Sequence, residues 1–181
     1  MTPKRYSSEG IILARRNYSE ADRILVVFSK HFGKMSLLAK GVRKLNSRKR
    51  GHLEVFSQIK FSAAKGKNLD VITEVETIDP FSKIRDDLRK VAVAYYFMEV
   101  AGRTTRDGEK NEDLYSLIAD YLSNLRGPTS LRELRHEYVY KTLVLLGFWP
   151  KGRQMDNPDK VLEEVVEREI SSARVGKKLL V

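Results

Sequence analysis

The residues best suited to chemistry in this chain are cations, and they are concentrated between Lys40 and Arg50. That segment holds six basic side chains and no acidic one, with glycine, serine and asparagine among them. Cations beside a backbone that allows close approach are typical of loops that contact phosphate groups without reading bases. We therefore predict a phosphate-binding loop, with these candidate contacts: Lys40, Arg43, Lys44, Arg48, Lys49 and Arg50.

Further cations and two aromatic residues could extend this surface. The additional candidate phosphate contacts are Arg15, Arg16, Lys65 and Lys67. Proteins that bind single strands usually add aromatic stacking platforms to a basic groove. Tyr18, in a predicted turn, and Phe56, on the polar phase of its predicted strand, are the candidate platforms. Phe28 and Phe61 fall on inward positions, so we expect them in the core.

Catalytic chemistry has little support in this sequence. It has no cysteine, only three histidines, and no motif that places a hydroxyl nucleophile beside a base. Acidic pairs such as Asp86-Asp87 and Glu112-Asp113 come early in predicted helices, where carboxylates favour the positive end of the helix dipole. We therefore expect no enzyme, no cofactor and no bound metal, with a metal-dependent nuclease as an alternative.

The positive charge is unevenly distributed along the chain. The formal net charge is +10, and 16 basic and 8 acidic residues lie in the part that ends at Pro80. From Phe81 onward the counts are 18 and 16. A localised excess produces a field that attracts polyanions, whereas a solvated charge run would contribute only to solubility. The distribution favours a nucleic-acid partner.

The elements that must position these residues change type near Asp79. Five strand-like segments precede that residue, at 11–13, 24–28, 35–39, 53–61 and 69–77. Helical periodicity follows, first in a helix with the predicted inward residues Ile84, Leu88, Val91, Tyr95 and Met98. Ser130 and Glu133 form a capping-box pattern before a later helix.

This order predicts an α+β fold with two parts. We expect a five-stranded OB-fold barrel over residues 1–80 and an α-helical domain over residues 81–181, docked through a short linker. No segment approaches the run of about 18 apolar residues that a membrane span needs. The first nine residues also lack the apolar segment of a secretion signal. We therefore expect a soluble, cytoplasmic protein with no membrane partner.

A series of short motifs covers most of residues 6–79 in a fixed order. They are Tyr18-x-Glu20-x-Asp22, the strand Ile24 to Phe28, Gly33-Lys34, Ala39-Lys40-Gly41-Val42-Arg43-Lys44, Ser47-Arg48, Leu53-x-x-Phe56 and the strand Leu69 to Glu76. In this order they resemble the N-terminal domain of the RecO family of bacterial DNA repair proteins. The helical half resembles the family more loosely, through its helix order and the segment 146–150.

The resemblance implies a recombination mediator without enzymatic turnover. Such a protein binds single- and double-stranded DNA and anneals complementary strands at the bacterial nucleoid during repair. It works with RecR and with single-stranded-DNA-binding protein to help a recombinase load onto coated strands. The matching positions imply that Lys40, Arg43, Lys44 and Arg48 contact DNA. An OB-fold factor that binds RNA or the ribosome is the alternative function.

The helical half departs from the family pattern in two ways. Many family members carry a four-cysteine zinc site after the Gly-Phe-x-Pro segment, and this chain has no cysteine there. It also ends earlier than typical members, which puts a C-terminal partner pocket in question. A second candidate partner site, for an acidic peptide tail with apolar end residues, comprises Phe148, Trp149, Lys151 and Arg153. The alternative is that Trp149 packs against the end of its own helix.

Overall fold

Five strands of the N-terminal half close into a barrel. The structure, a computed structural model, describes residues 4–167. The strands are β1 (Arg5–Tyr18), β2 (Asp22–Ser29), β3 (Gly33–Ala39), β4 (Gln58–Ala64) and β5 (Asp70–Asp79). Their order around the wall is β1-β2-β3-β5-β4. The predicted OB-fold barrel is therefore confirmed.

The barrel closes because β1 is long enough to pair with two neighbours. Its first half pairs with β4 and its second half with β2, both antiparallel. The remaining gap is closed by a short parallel pairing of β3 with β5, in which Leu37 faces Asp70 and Leu38 faces Val71. Because β5 lies between β3 and β4 in the wall, the segment that connects β3 to β4 has to cross β5.

Alternating strand residues fill the barrel interior. Buried members of this core include Ile12, Leu25, Val27, Leu37, Ile59, Phe61 and Ile72. Phe28 and Phe61 are both buried, as the alternation predicts. Phe28, however, belongs to the core between the barrel and the helices, whereas Phe61 lies inside the barrel.

Helices follow the barrel as predicted. They are α1 (Ser82–Arg85), α2 (Leu88–Thr104), α3 (Glu112–Asn124) and α4 (Leu131–Leu145), and residues 158–167 are also helical. The Ser130 hydroxyl accepts a hydrogen bond from the Glu133 amide and caps α4, which confirms the predicted cap. The sequence also predicts a last amphipathic helix that begins near Asn157-Pro158 and bears Ile170, and Ile170 lies outside the described residues. Among residues 4–167, no helix has the length and apolarity needed to cross a bilayer.

The predicted inward face of the first long helix is wrong at two positions. Leu88 is 84% exposed and Tyr95 is 48% exposed. The prediction assumed one continuous helix from Ile84, but the chain breaks after α1 and Asp87 caps a new helix by accepting a hydrogen bond from the Arg89 amide. Ile84 and Met98 are buried as predicted, but the new helix buries Ala94, Phe97 and Ala101 beside Met98 rather than Leu88 and Tyr95.

The barrel and the helices share one apolar core. Ile11 and Leu13 of β1 pack in the same cluster as Phe97 and Met98 of α2. The Lys34 ammonium on β3 donates hydrogen bonds to two carbonyls at the end of α2, at 2.8 Å and 2.6 Å. These contacts dock the helices against the wall formed by β1, β2 and β3.

The segment 53–57, predicted as the start of the fourth strand, is a loop that leads into β4. Phe56 has a positive φ of 57° and no exposed surface. Its ring contacts the Tyr95 ring and lies 3.9 Å from the Arg85 guanidinium. The prediction that Phe56 is an exposed stacking platform is therefore wrong, because the turn rotates its side chain into the core between barrel and helices.

Replacing Phe56→Ala should destabilise the protein strongly, since it removes a fully buried ring from the shared core. We expect a loss of about 3–5 kcal/mol in the free energy of unfolding, measured by urea denaturation. Tyr18→Ala is the matched control, because Tyr18 is 51% exposed. The control should change stability by no more than about 0.5 kcal/mol. Equal stability of the two variants would contradict the assigned burial of Phe56.

Candidate nucleic-acid interface

The predicted basic segment is a loop between β3 and β4 that is fastened near both ends. Val42 and Leu53 are fully buried in the barrel core. The Gly41 amide donates a 2.7 Å hydrogen bond to the Asp22 carboxylate, and the Arg43 amide donates a 2.9 Å bond to the Ala21 carbonyl. The loop is thus held against the turn between β1 and β2.

Consecutive turns shape the loop between its anchors. The amides of Lys44, Ser47 and Arg50 each donate to the carbonyl three residues earlier, at 3.1, 3.1 and 3.4 Å. A short 3-10 helix, Arg50–His52, follows. Gly41 has a φ of +66°, in the left-handed region that favours glycine. The backbone bonds within these turns leave most side chains of the loop free to project into solvent.

Five of the six predicted loop cations are exposed. They are Lys40, Arg43, Lys44, Arg48 and Arg50. Arg43 also donates a 3.1 Å hydrogen bond from its guanidinium to the Ser19 carbonyl. Lys49 differs, because it is only half-exposed and its ammonium donates a 2.9 Å bond to the Ile72 carbonyl of β5. Lys49 therefore holds the loop against the barrel wall.

Arg15 and Arg16 lie on β1, near the same end of the barrel. The Arg15 guanidinium forms a 2.6 Å ion pair with Glu54, which follows the loop. Part of its charge is thus neutralised by the protein itself. Arg16 is exposed, and it faces Ile24 in the register with β2.

Arg23 is a member of this basic surface that the sequence reasoning missed. Its pKa is lowered, first by partial burial and then by the like charges of Arg15, Arg43 and Arg50, whereas Glu54 raises it. These cations therefore share one electrostatic field. The pairing of Arg23 with Ala39 explains why, since it sets Arg23 beside the start of the loop. The position of Arg23 beside the loop follows from the strand register and not from its place in the sequence.

The second basic turn lies at the other end of the barrel. Lys65 pairs with Asp70 at 2.9 Å and its ammonium is 5.0 Å from the centre of the Tyr6 ring. It lines a cleft of about 860 Å³ together with His31 and Phe32, which belong to the turn between β2 and β3. Lys67 is exposed on the same turn as Lys65. The structure thus separates these two lysines from the loop.

Of the two predicted stacking residues, only Tyr18 is exposed. It is the last residue of β1 and pairs with Asp22, whose carboxylate accepts the Gly41 amide. Tyr18 therefore lies beside the anchored start of the basic loop. Its role as a stacking platform stays a prediction.

The predicted peptide-binding residues form a compact turn after α4. The amides of Phe148 and Trp149 both donate to the Leu143 carbonyl, and both side chains are half-buried against the helical core. The Trp149 indole donates a 3.1 Å bond to the Arg153 carbonyl, and the Arg153 guanidinium lies 4.9 Å from the Trp149 ring. Lys151 is exposed. One face of Trp149 is therefore covered by the chain itself.

One residue of each predicted acidic pair has a structural partner. Asp87 caps α2, and the pKa of Glu112 is lowered by hydrogen bonds and attraction from Lys110 and then His31. Among residues 4–167, no three histidine or acidic side chains gather in a group that could hold a metal ion.

The fold and the site place this chain in a class of two-part proteins. In this class an OB-fold barrel with an anchored basic loop packs against a group of helices. Two family models match this chain in order, described as "Recombination protein O N terminal" over residues 1–81 and "Recombination protein O C terminal" over residues 85–154. The chain belongs to the RecO family, as its barrel motifs predict.

Relatives from several bacteria agree with this assignment. The chain is 33% identical over 147 residues to a protein of Pelotomaculum thermopropionicum named DNA repair protein RecO. The matched region covers 81% of this chain and 57% of the relative. Proteins of the same name from Roseiflexus sp. and Moorella thermoacetica are 30% and 32% identical, over 93% and 82% of this chain and 59% and 55% of their own lengths. The chain thus spans somewhat more than half of these curated relatives.

Asp22→Ala should loosen the start of the basic loop, because the Gly41 amide loses its acceptor. We expect hydrogen exchange at the Gly41 and Lys44 amides to become about tenfold faster, which corresponds to a lost hydrogen bond of about 1.4 kcal/mol. Glu20→Ala is the control, since Glu20 is exposed in the same turn and the two substitutions remove the same charge. Identical exchange rates in both variants would show that Asp22 does not anchor the loop.

Proposed function

We propose that this protein binds DNA through its basic loop and acts in DNA repair as a recombination mediator that anneals complementary strands. The observation that carries the proposal is the set of five exposed cations on a loop that is anchored to an OB-fold barrel. A loop held by buried residues presents its charges in a fixed arrangement, whereas a flexible tail would lose conformational entropy on binding. The names of the relatives support a role in repair.

Annealing requires two polyanionic backbones to approach each other. At about 0.1 M salt the screening length is about 10 Å, so the repulsion between two phosphate backbones is weakened at larger separations but persists at shorter ones. Exposed guanidinium and ammonium groups reduce this repulsion by replacing the counterions of the strands. In this mechanism Lys40, Arg43, Lys44, Arg48 and Arg50 contact phosphates, and Lys49 positions the loop.

The electrostatic mechanism needs no chemical turnover. Arg23 and Arg15 extend the positive field toward β1 and β2, although Glu54 offsets part of the Arg15 charge. Sparse exposed aromatic residues on this surface, with Tyr18 as the candidate, favour binding with little sequence preference. RecR and single-stranded-DNA-binding protein are the proposed partners. The segment 148–153 is the proposed contact for an acidic peptide tail.

Charge reversal at Arg43 and Lys44 tests the assignment of the loop. Wild-type binding to single strands should follow a log–log salt slope of about −3 to −4 if about four to six phosphates are contacted. The double variant Arg43→Glu, Lys44→Glu should abolish annealing and reduce the slope by about 1.4, the contribution of two phosphates. Fluorescence anisotropy and a strand-annealing assay measure both effects.

The matched control is Lys83→Glu with Lys160→Glu, which changes the net charge equally at exposed positions in the helical half. It should retain annealing, and both double variants should keep native circular dichroism spectra. A salt slope near zero in the wild type, or unchanged annealing after loop reversal, would rule out the proposed interface.

Annealing of strands coated with single-stranded-DNA-binding protein tests mediation rather than simple binding. We expect the wild type to anneal coated strands, RecR to change the rate, and the loop double variant to fail with or without RecR. If the peptide tail of the coating protein docks near Trp149, its titration should also shift the fluorescence of this single tryptophan.

Two further arms distinguish the alternative functions. Stronger competition by structured RNA than by DNA at fixed salt would instead favour an RNA-binding factor. Cleavage of the strands with magnesium or manganese would favour a nuclease. Failure to anneal coated strands would remove the mediator role while leaving DNA binding to be judged by its salt slope.

A further inference from the structure

Leu45 lies near the middle of the basic loop and projects into solvent. It is 91% exposed, more than any other large apolar side chain among residues 4–167. Its neighbours are Lys44 and Asn46, and Arg43 and Arg48 lie within three residues. A single exposed leucine is common on protein surfaces, so its position rather than its exposure needs an explanation.

Backbone hydrogen bonds fix the segment that carries Leu45. The Lys44 amide bonds to the Gly41 carbonyl, and the Ser47 amide bonds to the Lys44 carbonyl, both at 3.1 Å. Leu45 therefore occupies a hydrogen-bonded turn. Val42, three residues earlier, is the residue of this region that enters the core. The chain thus uses one aliphatic side chain as an anchor and holds the next one outward among cations.

We propose that Leu45 is a wedge that inserts between adjacent bases while the flanking cations hold the phosphates on either side. This inference rests on the proposed DNA binding by the loop. Proteins that insert leucine or similar apolar side chains between base steps commonly surround them with basic residues. Base faces are the apolar part of a nucleic acid, so an apolar side chain carried on a phosphate-binding loop has a matching surface there.

The wedge gives the loop a preference among nucleic-acid structures. Separating two stacked bases costs less free energy in a single strand or at a mismatch than in an intact duplex. Leu45 should therefore favour single strands over duplex, a selectivity that phosphate contacts alone would not supply.

The experiment compares Leu45→Ser with the wild type on an adenine-rich single strand that carries 2-aminopurine, whose fluorescence rises when it is unstacked. Measurements at saturating protein separate unstacking from affinity, which is followed by anisotropy. We expect the wild type to raise the fluorescence and Leu45→Ser to raise it much less. The preference of the Leu45→Ser variant for single strand over duplex should also be about tenfold lower than that of the wild type. Leu45→Phe should restore both.

Leu88→Ser is the matched control, because Leu88 is 84% exposed at the start of α2 and lies outside the loop. It should behave as the wild type in both measurements. Equal unstacking by wild type and Leu45→Ser would overturn the wedge, as would a Leu45→Ser defect confined to binding RecR. If wild type binds no DNA at low salt, the proposed function itself fails. The two failures are therefore distinguishable.

Discussion

Burial of Val42 and Leu53 is the constraint on which the basic surface depends. Six cations within eleven residues repel one another, and exposed like-charge pairs each cost a few tenths of a kcal/mol. Each buried aliphatic side chain contributes about 1.5–3 kcal/mol, and each added hydrogen bond, such as that from Gly41 to Asp22, about 1 kcal/mol. The stabilising free energy of these anchors is larger than the free-energy cost of the charge repulsion. The loop can therefore hold its charges close together without unfolding.

The sequence predicts the barrel and the loop well because both depend on local patterns. Alternation identifies strands, and a run of cations between strands identifies a charged connection. Phe56 shows where such reasoning fails. Its neighbours Leu53, Val55 and Ser57 continue the alternation, yet the segment is a loop in which Phe56 adopts a positive φ. The burial of Val55 and Phe56 is set by the helices that cover them, which no period within the segment reveals.

The location of charge in space depends on topology rather than on composition. Arg23 joins the loop surface because it faces Ala39 across the sheet, although the 15 residues from Ile24 to Leu38 separate the two in the chain. Lys65, by contrast, lies in the cleft beside His31, so its charge is applied elsewhere. The same basic excess thus divides into two surfaces at opposite ends of one barrel. Counting charges along the sequence predicts the excess but cannot predict this division.

The loop is also linked mechanically to the helical half. The segment that follows it passes through the shared core, where the Arg85 guanidinium donates hydrogen bonds to the Val55 carbonyl at 3.0 Å and to the Ser57 hydroxyl at 3.1 Å. Partial burial lowers the pKa of Arg85, but attraction from Glu54 opposes this effect, so the same carboxylate faces both Arg85 and Arg15. A displacement of α1 would therefore disturb the end of the loop and the basic surface together. This contact provides a physical route by which binding at the helices could affect the loop.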